Sequence, residues 1–419
     1  MHVVTQQDVV AARRRTRPTG TTRLAVVAAW VLFAALGAVH VHIAVRRPGG
    51  PDGMSDLGVY AGSVQAMLAG GSLYGYTSAN GDQFTYPPVA GWLFTSFALV
   101  DPTTLRVLWT VLQCAEVAAL AWLVAARSPV PLVARQPRRL AVPVLGVLLH
   151  LSYPVFSGLF LGQISLLITL LALLDATDVT PRGLRGVPTG LAAAVKLTPL
   201  AFVPYLWLTG RRRAAGVAAA TFAAATGLGW LLSPGDSWTY WTSITAGRDF
   251  LHLGQADNQS LVGWLARAGW WGVDRPTVLV AALLVSGVVL ALGYRRARAL
   301  HADAQLLAGA VVVGAAVVVA SPISWSHHQT AVVLGAACLL AGRPGWASRA
   351  WSVGVYLLFS IPAQAVLLHL WPAGHPLTDA VLALALAVAC LVPFSRAAPA
   401  DRSVGAGRPV AVEAVGSGG

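Results

Sequence analysis

The sequence predicts an all-α polytopic membrane protein, and three observations support this fold class: high hydropathy, few charges and the placement of the arginines. Of the 419 residues, 56% are hydrophobic and only 11% are charged, and the mean hydropathy is +0.66. An ordinary soluble domain carries roughly 25% charged residues, so a water-soluble core could not bury this much apolar surface. The formal charge of +13 comes from arginines in short clusters between apolar runs, which is typical of membrane topology. We therefore expect a lipid bilayer, and no nucleic acid, as a partner.

The first apolar run, from about Leu24 to Val45, is long enough to span a bilayer. An arginine cluster precedes this run, and its apolar core is longer than that of a cleaved signal peptide. We predict an uncleaved first helix that follows a cytoplasmic tail at 1–22.

Nine further apolar runs approach or reach spanning length, and each is predicted to be helical because lipid offers no partner for an exposed backbone amide. They lie at about 103–126, 139–157, 161–176, 213–232, 276–294, 303–320, 327–342, 349–370 and 377–394. Short arginine-rich loops stay cytoplasmic. The passes alternate consistently with the positions of these loops only if residues 186–210 enter the membrane and return on the same side.

That segment contains Lys196, Pro199 and Pro204, and proline breaks helical hydrogen bonding. We predict a broken helical hairpin whose apex is Lys196 to Pro199. With the hairpin counted as two short passes, the total is about twelve, and both termini are cytoplasmic. The predicted transmembrane domain covers 23–396, and a Gly, Pro and Ala-rich tail at 397–419 is expected to be disordered.

Two extracytoplasmic segments, at 46–102 and 233–276, are too long to be simple turns. In the first, the pattern over 58–70 predicts an amphipathic helix in the membrane interface, and Val89 to Val100 predicts a second interfacial or re-entrant helix. The second segment is rich in tryptophan, as expected of the headgroup zone. The residues expected to shape the first loop are Tyr60, Tyr86, Pro87 and Pro88.

Asp56 opens the first interfacial helix and has two interpretations. An aspartate at a helix start can cap the free amide groups of the first turn. It can also act as a general base within reach of an acceptor hydroxyl at the membrane surface. Asp52 is the nearest competitor, but it lies in a Pro and Gly-rich stretch.

His327 and His328 follow an outer helix junction, Ser321 to Ser326. A polar cap on the next helix is one interpretation. A zinc site is disfavoured because adjacent histidines do not share a helical face and no third ligand is obvious. We favour donors to a phosphate or a sugar, since imidazole titrates near neutrality; the pattern does not decide between the two rings.

Lys196 is the only lysine among 29 basic residues, and it lies at the hairpin apex. It could extend to the interface along its own alkyl stem. A lone cation at this depth is also suited to a lipid-linked phosphate, and ionisable groups inside membranes are usually functional.

Further polar residues of the outer face are candidates for phosphate or sugar binding. Gln163 could alternatively join helices through its amide. The other candidates are Arg248, His252, Asn258 and Gln259. The sequence contains no Walker loop, no His-Glu-x-x-His and no Asp-x-Asp cluster, so no metal site and no cofactor are predicted, and soluble nucleotide chemistry is unsupported.

Several short motifs, in this order, resemble glycosyltransferase family 87. They are Asp56-Leu-Gly-Val-Tyr60, Gly71-Ser-Leu-Tyr74, Phe84-Thr-Tyr-Pro-Pro88, Gly162-Gln-Ile-Ser165, Lys196-Leu-Thr-Pro199, Asn258-Gln-Ser260 and Ser321-Pro-Ile-Ser-Trp325 with His327 and His328. The chain is similar to the actinobacterial polyprenyl-phosphate-mannose-dependent α-1,2-mannosyltransferases of phosphatidylinositol mannoside and lipomannan synthesis. The resemblance covers about Leu24 to Phe394.

The resemblance implies a GT-C membrane fold whose active site faces the extracytoplasmic side. It would make Asp56 the base, Lys196 the phosphate-recognising cation, and His327 or His328 the acting imidazole. It also implies inverting transfer from a polyprenyl-phosphate sugar to a glycolipid acceptor, and relatives include arabinofuranosyltransferases.

A secondary transporter or flippase is the rival from another class, since it would also use many passes and a broken helix. Transporter halves usually repeat their interrupted segments, and the second half of this sequence has no clear counterpart of the hairpin. A scaffold without catalysis is disfavoured because buried charge is costly to keep.

Overall fold

The computed structural model describes residues 20–47, 53–244, 253–270, 275–343, 345–370 and 375–395. Within these residues the chain is predominantly α-helical, as the sequence predicts. The predicted tails lie almost entirely outside the described residues, so the assignment of 1–22 and 397–419 stays a prediction.

In chain order, the helices of the described residues are α1 Gly20–Arg46, α2 Ser55–Leu68, α3 Pro88–Leu93, α4 Pro102–Arg127, α5 Pro131–Ala134, α6 Arg138–His150, α7 Tyr153–Leu161, α8 Ser165–Ala176, α9 Val187–Val195, α10 Phe202–Leu208, α11 Arg212–Leu232, α12 Pro234–Thr239, α13 Leu261–Arg267, α14 Arg275–Ala302, α15 Leu306–Ala320, α16 Thr330–Val333, α17 Gly345–Leu358, α18 Ile361–Ala365 and α19 Ala380–Cys390.

Shorter regular segments connect or extend these helices. The 3₁₀ turns are Thr95–Leu99, Arg182–Leu184, Thr198–Ala201, Ser326–Gln329, Leu334–Ala337 and Pro376–Asp379, and the π-helical turns are Tyr240–Ile244 and Val366–Leu370. One feature departs from an all-α prediction: β1 Leu339–Leu340 pairs antiparallel with β2 Phe394–Ser395.

Within the part of the chain that the structure describes, four helices are long and apolar enough to cross a membrane, and they are α1, α4, α11 and α14. The other predicted runs form shorter helices; for example, the run at 139–157 becomes α6 and α7, separated at Leu151 and Ser152. A helical membrane protein is therefore confirmed, while the total of about twelve passes stays a prediction.

Helix α15 forms the centre of the packed core. Twelve of its residues are buried, and they are all Ala, Val, Gly or Leu. It packs against α14, α19 and α8, which explains why this helix is apolar on every side.

The broken hairpin is confirmed. Helix α9 ends at Val195, Lys196 has an extended conformation (φ −147°, ψ 127°), and the chain resumes helically through Thr198–Ala201 and α10. Gly190 allows α9 to approach α11 closely, because a Cβ there would lie 2.5 Å from the carbonyl oxygen of Ala218. The break therefore leaves Lys196 at a chain reversal, and the packing of α9 against α11 supports this reversal.

The first outer segment contains the predicted helix as α2, but Asp56 does not cap it. The capping position is Met54, in a left-handed conformation (φ 52°), and it makes no side-chain capping bond. Asp56 lies inside the first turn, so the capping interpretation is wrong. The second predicted helix is also divided, into α3 and Thr95–Leu99.

Aromatic side chains join the parts of this first outer segment. The ring of Tyr60 stacks on Phe94 with centroids 5.1 Å apart and meets Phe84 and Tyr86 edge-on at 6.2 and 5.4 Å. Phe94 in turn meets Trp109 of α4. Helix α2 therefore rests on a rigid aromatic layer, which fixes the position of its first turn.

Candidate active site

Lys196 lies at the centre of the candidate site. Its Nζ is 2.6 Å from Nε2 of His328 and donates to Oγ of Ser165 at 3.3 Å. The ammonium also lies 5.4 Å from the centre of the Tyr86 ring. An ammonium carries three N–H donors, and these described contacts leave one N–H for an incoming oxygen. His328 comes from the 3₁₀ turn Ser326–Gln329, so the fold brings together two segments far apart in the chain.

A hydrogen-bond network connects Ser165 to the first outer segment through Gln163. The amide oxygen Oε1 of Gln163 accepts from Tyr60 and Tyr86, each at 3.1 Å, and lies 3.4 Å from Oγ of Ser165. The hydroxyls of Tyr60 and Tyr86 are themselves 3.0 Å apart. Burial raises the pKa of both tyrosines, so they stay protonated and act as donors. The Gln163 amide is thereby oriented from one side.

The carboxyl of Asp56 is hydrogen-bonded to the same Gln163 side chain. Burial raises the pKa of its carboxyl to about 7, while the Gln163 side chain and the positive charge of Lys196 act in the opposite direction. Asp82 adds a smaller raising effect. A carboxyl with a pKa near neutrality is suited to general-base catalysis, because it is partly ionised and still accepts a proton readily.

The position of Asp56 depends on contacts between the start of α2 and the end of α7. The amide of Met54 donates to the carbonyl of Phe160 at 2.6 Å. Gly162, with φ +70°, ends α7, and a Cβ there would lie 2.7 Å from Cβ of Leu57. Only glycine combines this backbone conformation with so close an approach.

Two buried residues of α4 support the same turn. Nε2 of Gln113 donates to the carbonyls of Gly158 and Gln163 at 3.2 and 2.8 Å, and Nε1 of Trp109 donates to the carbonyl of Gly162 at 2.9 Å. Sequence reasoning did not single out Gln113, Trp109 or Ser165. A fully buried amide in an apolar helix is the signal that could have identified Gln113.

The two adjacent histidines have different environments. His328 is partly exposed and contacts Lys196, whereas His327 is 4% exposed and its ring meets that of His328 edge-on at 4.4 Å. Neither ring nitrogen of His327 has a hydrogen-bond partner in the part of the chain that the structure describes. Among those same residues no group of three His, Cys, Asp or Glu could hold a metal ion.

Asn258 and Gln259 bind backbone groups. Asn258 donates to the carbonyl of Leu253 at 3.0 Å and accepts from the amide of Ser324 at 2.9 Å. Gln259 donates to the carbonyl of Thr378 at 2.7 Å and accepts from the amide of Leu382 at 3.0 Å. Their predicted contact with a sugar stays a prediction; the observed contacts fasten the second outer segment beside the turn that carries His328.

Arg248 and His252 lie outside the described residues, so their predicted roles stay predictions. Pro87 and Pro88 begin α3, where Pro87 is extended (ψ 149°) and caps the helix without a side-chain bond. The carbonyl of Tyr86 accepts from the hydroxyl of Tyr74 at 2.8 Å. The predicted break at these residues therefore directs Tyr86 towards Lys196.

An apolar cleft begins at Lys196 and His328. Beyond these two residues its walls come mainly from α8 and α15, with Thr198, Pro199 and Phe202 on the hairpin side. Apolar residues such as Ile168, Ala172 and Val317 line most of it. A cleft that is apolar along its length and cationic at one end suits an amphiphile with an anionic headgroup.

The family described as glycosyltransferase family 87 matches residues 84–322. A polyprenol-phosphate-mannose-dependent α-(1-2)-phosphatidylinositol mannoside mannosyltransferase of Mycobacterium tuberculosis is 33% identical over 76% of this chain and 78% of its own length. Two polyprenol-phosphate-mannose-dependent α-(1-2)-phosphatidylinositol pentamannoside mannosyltransferases are also similar. The one of Mycolicibacterium smegmatis is 33% identical over 65% of this chain and 66% of its own length, and the one of M. tuberculosis is 29% identical over 96% and 93%. No solved structure matches the chain.

Proposed function

This chain belongs to glycosyltransferase family 87, and on that premise we propose that it transfers a mannosyl group from a polyprenyl-phosphate donor to a glycolipid acceptor with α-1,2 linkage. The acceptor class is of the phosphatidylinositol mannoside or lipomannan type. The relatives named above supply the donor and the acceptor class, and the geometry of the site supplies the roles of the residues.

One observation carries the proposal: Gln163 contacts the base candidate Asp56 directly and, through Ser165, is connected to the phosphate-binding candidates Lys196 and His328. The contacts run from Asp56 to Gln163, from Gln163 to Ser165 and from Ser165 to Lys196. A group-transfer enzyme needs its base and its leaving-group cation on opposite sides of one reacting carbon. The charge of Lys196 acts on the Asp56 carboxyl, so the two candidates are close enough to act on one sugar.

The donor binds with its polyprenyl chain in the apolar cleft and its phosphate against Lys196 and His328. The cation neutralises the charge that grows on the phosphate oxygen as the sugar leaves. Arg248 and His252 of the second outer segment are assigned to the same phosphate.

Asp56 accepts the proton of the acceptor hydroxyl. The hydroxyl oxygen forms a bond to the anomeric carbon, the bond from that carbon to the phosphate oxygen breaks, and its electron pair stays on the phosphate. This single displacement inverts the β-linked donor to an α-linked product. Tyr60 and Tyr86 position the carboxylate through Gln163, and Gln163 is also assigned to the donor phosphate or sugar.

The active site is assigned to the extracytoplasmic face of the cell membrane, within a transmembrane domain at 23–396. Arginine placement supports this assignment. The loops that precede α9 and α11 are arginine-rich and therefore cytoplasmic, and Lys196 follows the opposite, C-terminal end of α9.

Purified protein in detergent, given radiolabelled polyprenyl-phosphate-mannose and a phosphatidylinositol mannoside acceptor, tests the proposal. Transfer of label to the acceptor without a sealed compartment is the expected result, and it is impossible for a transporter. A parallel reaction uses a donor that carries arabinose in place of mannose. Transfer of arabinose and not of mannose would overturn the assignment of the sugar, and no transfer from either donor would overturn the enzyme assignment.

A further inference from the structure

A second pocket lies at the opposite end of α9 from Lys196. It is formed where the 3₁₀ turn Arg182–Leu184 meets the start of α11. The arginines that line it are Arg182, Arg185, Arg211, Arg212 and Arg213. No step of the proposed reaction uses these side chains.

The pocket is built before any ligand arrives, because glycine contacts lock its two walls together. Gly186 has φ +98°, and its Cα is so close to the carbonyl of Ala214 that no Cβ could be accommodated. Gly190 makes a similar contact with Ala218 one turn later. The two basic segments therefore cannot separate without disrupting the packing of α9 on α11.

Positive charge exceeds negative charge in this pocket. Asp178 is shared by Arg185 at 3.7 Å and Arg211 at 3.3 Å. The carboxylate of Asp175 accepts from Gly186 N, Thr189 N and Thr189 Oγ1 at 2.8 to 3.0 Å, so it is occupied by groups that hold α9 in place. Five guanidinium groups thus face two carboxylates.

Arg211 is the innermost of the five. Its side chain is 10% exposed, and Nη1 donates to the carbonyls of Asp175 and Ala176, each at 3.0 Å. Its Nη2 has no hydrogen-bond partner among the described residues, although it is buried. A buried guanidinium nitrogen without a hydrogen-bond partner is costly, and the Tyr205 ring, whose centre lies 4.8 Å from this guanidinium, is its other described contact.

Exposed apolar side chains adjoin the arginines of the pocket. Trp207 is 54% exposed, and the guanidinium of Arg212 lies 5.5 Å from the centre of its ring. Leu184, between Gly183 and Arg185 in the sequence, and Leu208, two residues before Gly210, are also exposed. A basic cavity beside exposed tryptophan and leucine fits a phosphate that is attached to acyl chains better than it fits a free ion.

We propose that this pocket binds the phosphate headgroup of an anionic phospholipid from the leaflet opposite the active site. The arginines bind the phosphate oxygens, and Gly183 and Gly210, at which an added Cβ would meet open space, leave room for the headgroup. The proposal does not depend on the proposed reaction.

Native mass spectrometry of the full-length protein in detergent tests the proposal, with phosphatidylglycerol, phosphatidylcholine and inorganic phosphate added separately. Arg182, Arg212 and Arg213 are replaced together by Gln, while Arg211 is kept because it holds backbone carbonyls. The matched control replaces Arg135, Arg138 and Arg139 by Gln, which removes the same charge from another loop. We expect the wild-type protein and the control to retain phosphatidylglycerol, and the affinity of the pocket variant to fall about fivefold for each side chain removed.

Three results would overturn the proposal. They are equal loss in the two triple variants, retention of phosphatidylcholine as strong as that of phosphatidylglycerol, and binding of inorganic phosphate that is as tight as that of the lipid. If the pocket variant does not fold, the single substitutions Arg182→Gln and Arg213→Gln give the same comparison against Arg135→Gln.

Discussion

The ammonium of Lys196 lies 2.6 Å from Nε2 of His328, although 132 positions separate the two residues in the sequence. Lys196 lies just after the break at the end of α9. His328 lies in the 3₁₀ turn that precedes α16. The imidazole of His328 accepts a hydrogen bond from the Lys196 ammonium and so holds the ammonium in place. The ammonium keeps one N–H that can bind a phosphate oxygen. The arrangement also distinguishes the adjacent histidines, since His327 points into the protein.

Replacement of Asp56 by Asn is expected to abolish transfer while donor binding persists. The amide keeps the shape of the side chain but cannot accept the acceptor proton, and general-base catalysis contributes about 10²- to 10⁴-fold. The measurement is the initial rate of mannosyl transfer, with donor affinity measured separately on the same preparation. Full turnover by Asp56→Asn would remove the base assignment.

The transfer rate is expected to rise with pH through about 7. The pKa of Asp56 is raised from 3.8 to about 7, and only the ionised carboxylate is a base. Stability has the opposite dependence: because the folded state holds this proton more tightly than the unfolded state does, the contribution of Asp56 to stability falls as pH increases between 3.8 and about 7.

A pH series of rates and of thermal unfolding checks both expectations, with Asp56→Asn as the control. The variant lacks this titration, so its unfolding temperature is expected to depend less on pH over the same interval. A wild-type rate that is flat between pH 5.5 and 8.5, values chosen to lie about 1.5 units on either side of the raised pKa, would contradict the expectation.

Lys196→Met is expected to reduce transfer by about 10²- to 10³-fold, the usual effect of removing one donor that stabilises transition-state charge. Lys196→Arg keeps the positive charge and is expected to recover part of the loss. His328→Ala removes the partner of the ammonium and is expected to weaken transfer less than Lys196→Met does. The three rates, measured with one donor preparation, check this order; equal activity of Lys196→Met and wild type would contradict it.

Gly162→Ala is expected to reduce activity by displacing the first turn of α2. The added Cβ would lie 2.7 Å from Cβ of Leu57, at a backbone φ of +70°, and such strain costs about 1–3 kcal/mol. Gly58→Ala, within α2 itself, is the matched control, because a Cβ there would meet nothing within 4 Å. Rates and unfolding temperatures of both variants check this, and equal effects of the two substitutions would show that the contact with Leu57 is unimportant.

Cysteine labelling is expected to place α2 outside the cell. In a protein whose Cys114, Cys338 and Cys390 are replaced by Ser, Gly58→Cys should react with a membrane-impermeant maleimide on intact cells. Gly183→Cys, in the arginine-rich turn beside α9, should react only after the membrane is permeabilised. Both glycines have open space around them, so the label can reach either one. The reverse pattern would place the site on the cytoplasmic face.

Much of the fold could be predicted from the sequence because each of its elements is a local property. The runs at α1, α4, α11 and α14 are long, apolar and uninterrupted, and lipid requires such runs to be helical. The break at Lys196 is also predicted from the sequence, since prolines prevent a continuous helix there. Helix α2 was predicted from its apolar face, although its exact start was not, because the cap is the backbone conformation of Met54 and not a side chain.

The amino-acid sequence alone predicts a helical membrane protein that resembles a glycosyltransferase family, with Asp56, Lys196 and the two histidines as candidate site residues. The contact of His328 with Lys196, the link from Asp56 through Gln163 to the tyrosines, and the backbone contacts of Asn258 and Gln259 are visible only in the folded protein. Hydropathy and proline act over one turn or one helix, whereas a side-chain contact across the bundle depends on how all the intervening helices pack.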